Sequence, residues 1–497
     1  MGKKIYFAWM LVAVFALAGC EDLEDTYSDY AGDGMVRYVG RCKDVKVTPG
    51  WERLHVEWKN SLDPGIESIK VVCAAGDIVR DTVLEVGTTS CDIRNMEDGS
   101  YQVDVYAVGE GGRLSLSKKS EFARPYTSLH EEVRSFSPGI IKHFFVENNL
   151  VLFMDKWSEN FVNFELNYTR TDGNAEVLPL TEEMFAEKYC LLEGINTEEE
   201  IFITREGRLE GCLDLIPLEP YVLTADPVFT SAFRGWIKEH YCLDEIGKEF
   251  LASKSLQFDY DILTLEDILY FPDLEEIELG KNRYLYEVAL SVYPNEWCSV
   301  LTELEKSEFV LGIAQKLRGV KINRYHKHYF PETTTLQINE MGIPVLPGDI
   351  NYLPTAGWTI SHSQGSNVTE QFPLRNLLDN LLVTFWMPRA HTVLLTYDII
   401  IDMQEEQTVN GIKITQAGLA NAMEFIPGTV QIETSINGYD WEMFTHMQNN
   451  TLGNGLGEST LYRAPEPKQA RYIKVVVSDQ ANGEGVTNVS LGDIAVF

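Results

Sequence analysis

The feature that most constrains this chain is a period of two. In RLHVEWKN (53–60) the alternation puts Leu54, Val56 and Trp58 on one face of an extended segment, and SIKVVCAAG (68–76) and YQVDVYAVGEGG (101–112) repeat it. Asp63-Pro64-Gly65 and Asp98-Gly99 fall between these runs, where a chain must turn. Short strands at such spacing specify a sandwich of about a hundred residues, placed here at 30–125. A second set follows: NNLVLFMDKW (148–157), FVNFELNYT (161–169), AEVLPL (175–180), EEIFITREG (199–207) and GCLDLIPLEPYVL (211–223) predict another sandwich over 126–224. From about residue 225 the period lengthens, and SAFRGWIKEHY (231–241) and EIGKEFLAS (245–253) are helix-like. The expected fold class is therefore mainly β, with a small α/β module at 225–340.

That module contains FPDLEEIELGKN (271–282), where Phe271, Leu274, Ile277, Leu279 and Asn282 stand at the offsets of a leucine-rich repeat. One unit cannot bury both its faces, so two or three repeat-like turns are expected at most. The basic aromatic stretch NRYHKHYFP (323–331) is expected as an exposed loop or strand end before a linker, NEMGIPVLPGD (339–349).

The amino terminus has the layout of an export signal. Lys3 and Lys4 precede an apolar core from Ile5 to Leu17, followed by Ala18 and Gly19. The core is shorter than the ~20 apolar residues of a spanning helix. LAGC at 17–20 resembles the bacterial lipobox, which implies removal of residues 1–19 and acylation of Cys20, leaving a lipid anchor as the chain's contact with the membrane. Glu21, Asp22, Glu24, Asp25 and Asp29 form an acidic tether at 20–29 that is similar to the surface-export signal of Bacteroidetes lipoproteins, so the outer membrane with exposure at the cell surface is expected. With 41 Lys+Arg against 75 Asp+Glu, the net charge is −34, which disfavours nucleic acid and anionic headgroups as partners. The eight cysteines include no CxxC pair. Cys73 with Cys91, or Cys190 with Cys212, stand where cross-strand disulfides could form, although buried free thiols are the expected state.

Trp58 on an early strand and Tyr101 opening a late one are arranged as in fibronectin type III domains. Together with GRCKDVKVTPGWERLHVEWKNSLDPGIESIKV (40–71), the segment resembles the N-terminal domain of unknown function of Bacteroidetes surface lipoproteins. The carboxy-terminal third carries a different set of blocks: LLDNLLVTFWMP (377–388), YDIIIDMQEEQTVNGIKI (397–414), FIPGTVQIETSINGYDWEMF (425–444), QARYIKVVV (469–477) and SLGDIAVF (490–497). In this order they resemble the coagulation factor V/VIII type C domain, the discoidin or galactose-binding-like jelly roll that includes family 32 carbohydrate-binding modules, over 345–497.

The resemblance implies a rigid sandwich whose end loops meet a glycan. Arg389, His391, Asn421 and Arg463 are the implied polar contacts, Trp358 or Tyr462 the stacking ring, and Trp386 and Trp441 packing residues. It also implies a structural calcium held by Asp379, Thr384 and Asp493, with two departures. Leu381 stands where the family carries Asp or Asn, and Asp493 is one methylene shorter than the usual Glu.

No catalytic pattern survives inspection. HEEVR (130–134) lacks the second histidine of a zinc protease, and no GxSxG, Walker or GxGxxG motif occurs. The expectation is a non-enzymatic surface lipoprotein that captures glycan for a neighbouring importer or hydrolase. The alternative is an adhesion or protein-interaction scaffold.

Overall fold

The computed structural model describes residues 39–117, 120–287, 301–325, 329–330, 335–418 and 424–497. The expected export signal, Cys20 and the expected acidic tether lie outside the described residues, as does Asn421.

In the first sandwich, a sheet of Lys43–Gly50, Arg53–Lys59 and Ser90–Arg94 shares its core with a sheet built on Ile78–Glu85, Ile66–Ala75 and Tyr101–Gly109. The anticipated inward face holds, since Leu54, Val56 and Trp58 are all buried, against Ile69, Val71, Tyr101 and Val103. Cys42, Cys73, Cys91, Cys190, Cys212 and Cys242 are free thiols, and burial pushes Cys73 up to about 12.

The second sandwich pairs a sheet of Tyr189–Glu193, Asn149–Met154 and Ile140–Val146 with one of Ala175–Pro179, Phe161–Thr169, Ile201–Gly207 and Ile216–Leu223. Strand Asn149–Met154 is apolar without alternation because both its faces are covered. Leu150, Leu152 and Met154 enter the sandwich core, while Val151 and Phe153 enter the core of the middle module.

The two sandwiches are fastened by Asp214. Its carboxylate accepts Arg53 Nε (2.8 Å), Arg53 Nη2 (2.7 Å) and the Trp51 amide (2.9 Å). The hydrogen bond from Arg53 holds the Asp214 carboxyl below the usual range. Because the folded pKa is depressed, the stabilisation is present above the unfolded value near ~4 and fades as pH falls through the folded one. Asp214→Asn should therefore cost about 1 kcal/mol at pH 7, and the difference from wild type should shrink in urea melts at progressively lower pH.

The middle module contains a parallel sheet of four strands, Ser255–Phe258, Glu276–Leu279, Lys321–Arg324 and Ile338–Glu340, with Leu256, Ile277, Ile322 and Ile338 in register. That is one rung beyond the two or three turns anticipated. The starts at Ser255, Glu276, Lys321 and Ile338 are too unevenly spaced to show a period in sequence. Helix Ser231–Tyr241, capped by Thr230 Oγ1 on the Phe233 amide (3.2 Å), buries Phe233, Trp236 and Ile237 against this sheet's core. Of the basic stretch at 323–331, the described residues 323–325 and 329–330 include a strand end, as expected, but not an exposed one. Arg324, Tyr329 and Phe330 are buried, and the Arg324 guanidinium donates to the carbonyls of Tyr329 (2.9 Å) and Phe330 and pairs with Glu340.

The C-terminal sandwich is organised by two 20-residue strands, Thr396–Thr415 and Ser459–Ser478, paired along their length with irregularities between Asp402 and Gln407 and between Val409 and Gly411. Thr429–Ser435 joins one half of this ribbon and Asp493–Val496 the other. Trp386, fully buried, sits in the core with Tyr397, Ile399 and Ile473. Trp441 is only half-buried, beneath the Lys474 ammonium at 4.4 Å from its ring centroid, so its packing role is to carry a lysine rather than to fill the core.

A buried ion pair welds this sandwich to the middle module. Arg283 donates to Glu458, to Asn454 Oδ1 (2.9 Å) and to the Tyr284 hydroxyl (3.2 Å), while Glu458 also accepts the amides of Tyr284 (2.7 Å) and Gly455 (2.7 Å). Burial alone would lower the Arg283 pKa, but the charge of Glu458, its hydrogen bond and the neighbouring Tyr260 and Tyr284 together outweigh it and raise the guanidinium above its ordinary value.

Candidate ligand-binding end of the C-terminal sandwich

Short strand Met387–Pro388 pairs with Glu370–Phe372 and delivers Arg389 and His391 to the end of the domain. The Arg389 amide donates to Thr369 O (2.8 Å), which fixes the backbone, and the side chain is exposed with no hydrogen bond or ion pair among the described residues. His391 is tied to Thr487 by reciprocal backbone bonds of 3.1 and 2.7 Å. Its ring is held at both nitrogens, by Asp479 Oδ2 at Nε2 (2.6 Å) and by the Arg389 carbonyl at Nδ1 (3.0 Å).

Asp479 is the orienting group at this end. Its carboxylate is fully buried, takes the Leu395 amide (2.9 Å) on the same oxygen that meets His391, and leaves Oδ1 buried without a hydrogen-bond partner. Both His391 nitrogens face acceptors, so the imidazole offers a ligand its ring surface rather than a free nitrogen. Arg389 is left as the group with donors to give. Val393 and Leu394, 63% and 66% exposed, stand beside them on the same loop.

Of the six implied contacts, the five that are described do not gather. Arg389 and His391 come together. Trp358 is buried in the core beside Leu374 and Leu378, so it packs and cannot stack on a sugar. Tyr462 is likewise buried, its hydroxyl donating to Thr451 O (2.6 Å) and its pKa raised by burial, so it too is corrected to a packing role. Arg463 is exposed but lies opposite Gly411 on the long strand, with its guanidinium 5.3 Å from the Phe497 ring centroid, away from Arg389. Asp479 and Thr487, which position His391, carry no local signal that would have singled them out.

The calcium expectation meets a donor set already in use. Asp379 accepts the Thr384 hydroxyl (2.8 and 2.9 Å) and the Leu381 amide (3.0 Å). Asp493 is buried and its Oδ2 lies 3.3 Å from Lys413 Nζ, itself buried over the Tyr352 ring. Calcium takes six to eight oxygens, whereas no group of three or more His, Cys, Asp or Glu that could hold a metal ion occurs among the described residues. The residues do not fit calcium, because the cation facing Asp493 is a lysine.

Lys413→Met should then strand a buried carboxylate and cost about 3–5 kcal/mol. Burial raises the Asp493 pKa, so the charged form is the destabilising one above the unfolded pKa. The defect should ease as pH falls and Asp493 protonates. Wild-type melting should be unmoved by added calcium or by a chelator, and a calcium-dependent rise would overturn this account.

The sequence comparisons agree with the architecture. Residues 359–490 match the family model described as F5/8 type C domain, and with the strand arrangement this makes the C-terminal domain a discoidin-type, galactose-binding-like sandwich. Residues 20–203 match a domain of unknown function, a stretch that runs past the first sandwich into the second and so exceeds the 30–125 expected from sequence. No curated protein matches the chain. Similar solved structures include the C-terminal domain of a chitobiase from Bacteroides fragilis, at 26% identity over 30% of this chain and 97% of that one, TM-score 0.23. A family 32 carbohydrate-binding module from Clostridium perfringens NanJ, in complex with galactose, matches at 18% over 29% and 96%, TM-score 0.24. A further Clostridium perfringens module, in complex with GalNAc-beta-1,3-galactose, matches at 14% over 30% and 99%, TM-score 0.24.

Proposed function

We propose that this chain is a non-catalytic surface lipoprotein of the Bacteroidetes type that captures glycan at the Arg389 end of its C-terminal domain. The observation that carries the reading is the exposed Arg389 guanidinium, without a side-chain partner among the described residues, beside a histidine locked by a buried carboxylate. A planar arginine fork suits the vicinal hydroxyls of a sugar, and the ring surface of His391 suits its apolar side. The F5/8 type C match supports the same reading. The first sandwich, with sheets of three and five strands, is read as fibronectin type III-like, and with the second it serves as a spacer from the Cys20 anchor.

Val393 and Leu394 favour a second reading, in which this end grips a protein through an apolar patch. The test is a broad glycan array probed with the chain from residue 21 onward. Binding to at least one terminal galactose-type or N-acetylated sugar is expected, and a blank array would favour the protein partner.

A further inference from the structure

We infer that a second ligand site lies in the cleft between the middle module and the C-terminal sandwich, and that it takes a neutral, hydroxyl-rich ligand such as a short oligosaccharide. The cleft holds about 590 Å³, with helix Ser231–Tyr241 on one side and Glu424, Gly428 and Gln480 of the sandwich on the other. That volume is within the ~300–1,000 Å³ of small-molecule sites. It is also held open by construction, because Arg283 and Glu458 weld the two walls together.

Gly235 gives an independent indication. It sits inside the helix and lines the cleft, and a Cβ built on it would meet nothing within 4 Å. A glycine inside a helix costs about 0.5–1 kcal/mol relative to alanine, and here no neighbouring atom and no positive φ requires it. Bare backbone on the face that lines a cleft is what the close approach of a ligand demands.

The polar groups define the class of ligand. Glu239, Asp261 and Glu424 bring carboxylates to the walls, while the charge of Arg283 is answered by Glu458. The resulting field repels uronates and sialic acids and favours hydroxyl donors. His240 donates Nδ1–H to Trp236 O (3.2 Å), which leaves Nε2 as an acceptor with no partner among the described residues. The site needs neither Arg389 nor His391. Neither residue is among those that line the cleft, although Gln480, which does, directly follows the Asp479 that His391 bonds.

The experiment uses the full chain from residue 21 carrying Arg389→Ala, titrated with chitotriose, N-acetyllactosamine and tri-galacturonate by calorimetry and tryptophan fluorescence. At least one neutral probe should still bind and tri-galacturonate should not. Adding Gly235→Trp, which fills the cleft, should weaken that residual binding about tenfold or more, with Gly235→Ala melting at or above the parent temperature as a check on the fold. The inference is overturned if no neutral probe binds the Arg389→Ala chain, if tri-galacturonate binds as well as the neutral probes, or if a folded Gly235→Trp chain binds like its parent. Loss confined to Arg389→Ala would remove the cleft and leave the Arg389 reading standing, and the converse pattern would do the reverse.

Discussion

Glu458→Ala should destabilise the C-terminal half of the molecule by about 3–5 kcal/mol, measured as a shifted urea transition and faster proteolysis at the junction with the middle module. The size follows from what the carboxylate holds. Arg283 is 2% exposed and Glu458 fully buried, so removing the anion leaves a guanidinium in a low-dielectric site with its best partner gone. The amides of Tyr284 and Gly455 lose their acceptor at the same time. The segment Gly453–Gly457 is moulded on this side chain, since a Cβ at Gly453 would lie 2.5 Å from Glu458 Cδ. Replacing both ends, Arg283→Met with Glu458→Leu, should cost clearly less than either single change, because no charge is then stranded. A single variant within about 1 kcal/mol of wild type would show that the pair is solvated and that the weld is not what joins the two units.

Alternation made the sandwiches legible, because inward residues such as Leu54, Val56 and Trp58 declare their face within a few positions of one another. It could not explain Leu150–Met154, whose second face is covered by residues far along the chain such as Phe309 against Phe153, nor count rungs whose spacing is irregular. Charge was the most misleading guide. Arg283 and Arg324 have the composition of surface residues, yet each is buried by partners that only the fold supplies, Glu458 being 175 positions from Arg283. At the site, aromatic type alone could not tell a platform from a plug, and Trp358 and Tyr462 proved to be plugs. Tyr462 and Arg463 are neighbours on one strand, so their side chains point to opposite faces, and the aromatic one is the buried one. The pairing of Arg389 with His391 followed from the family resemblance, but Asp479 was invisible, lying 88 positions from the histidine it orients.

Arg389→Ala should weaken glycan binding by roughly tenfold to a hundredfold, the equivalent of about 1.5–3 kcal/mol for hydrogen bonds from a charged donor, while leaving the melting temperature unchanged because the side chain supports nothing else among the described residues. Arg389→Lys should recover only part of the loss, since an ammonium keeps the charge but not the planar fork that meets two hydroxyls at once. Asp479→Asn separates contact from positioning. The amide can still accept the Leu395 N–H, but it no longer presents a charged acceptor to His391, and the ring and the Arg389 carbonyl bonded to it lose their fixed orientation. Affinity should fall by a smaller factor than in Arg389→Ala, and the double variant should lose little beyond Arg389→Ala alone, because two residues acting on one geometry are not additive. Fully additive losses in the double variant, or undiminished binding after Arg389→Ala, would place the glycan elsewhere on the molecule.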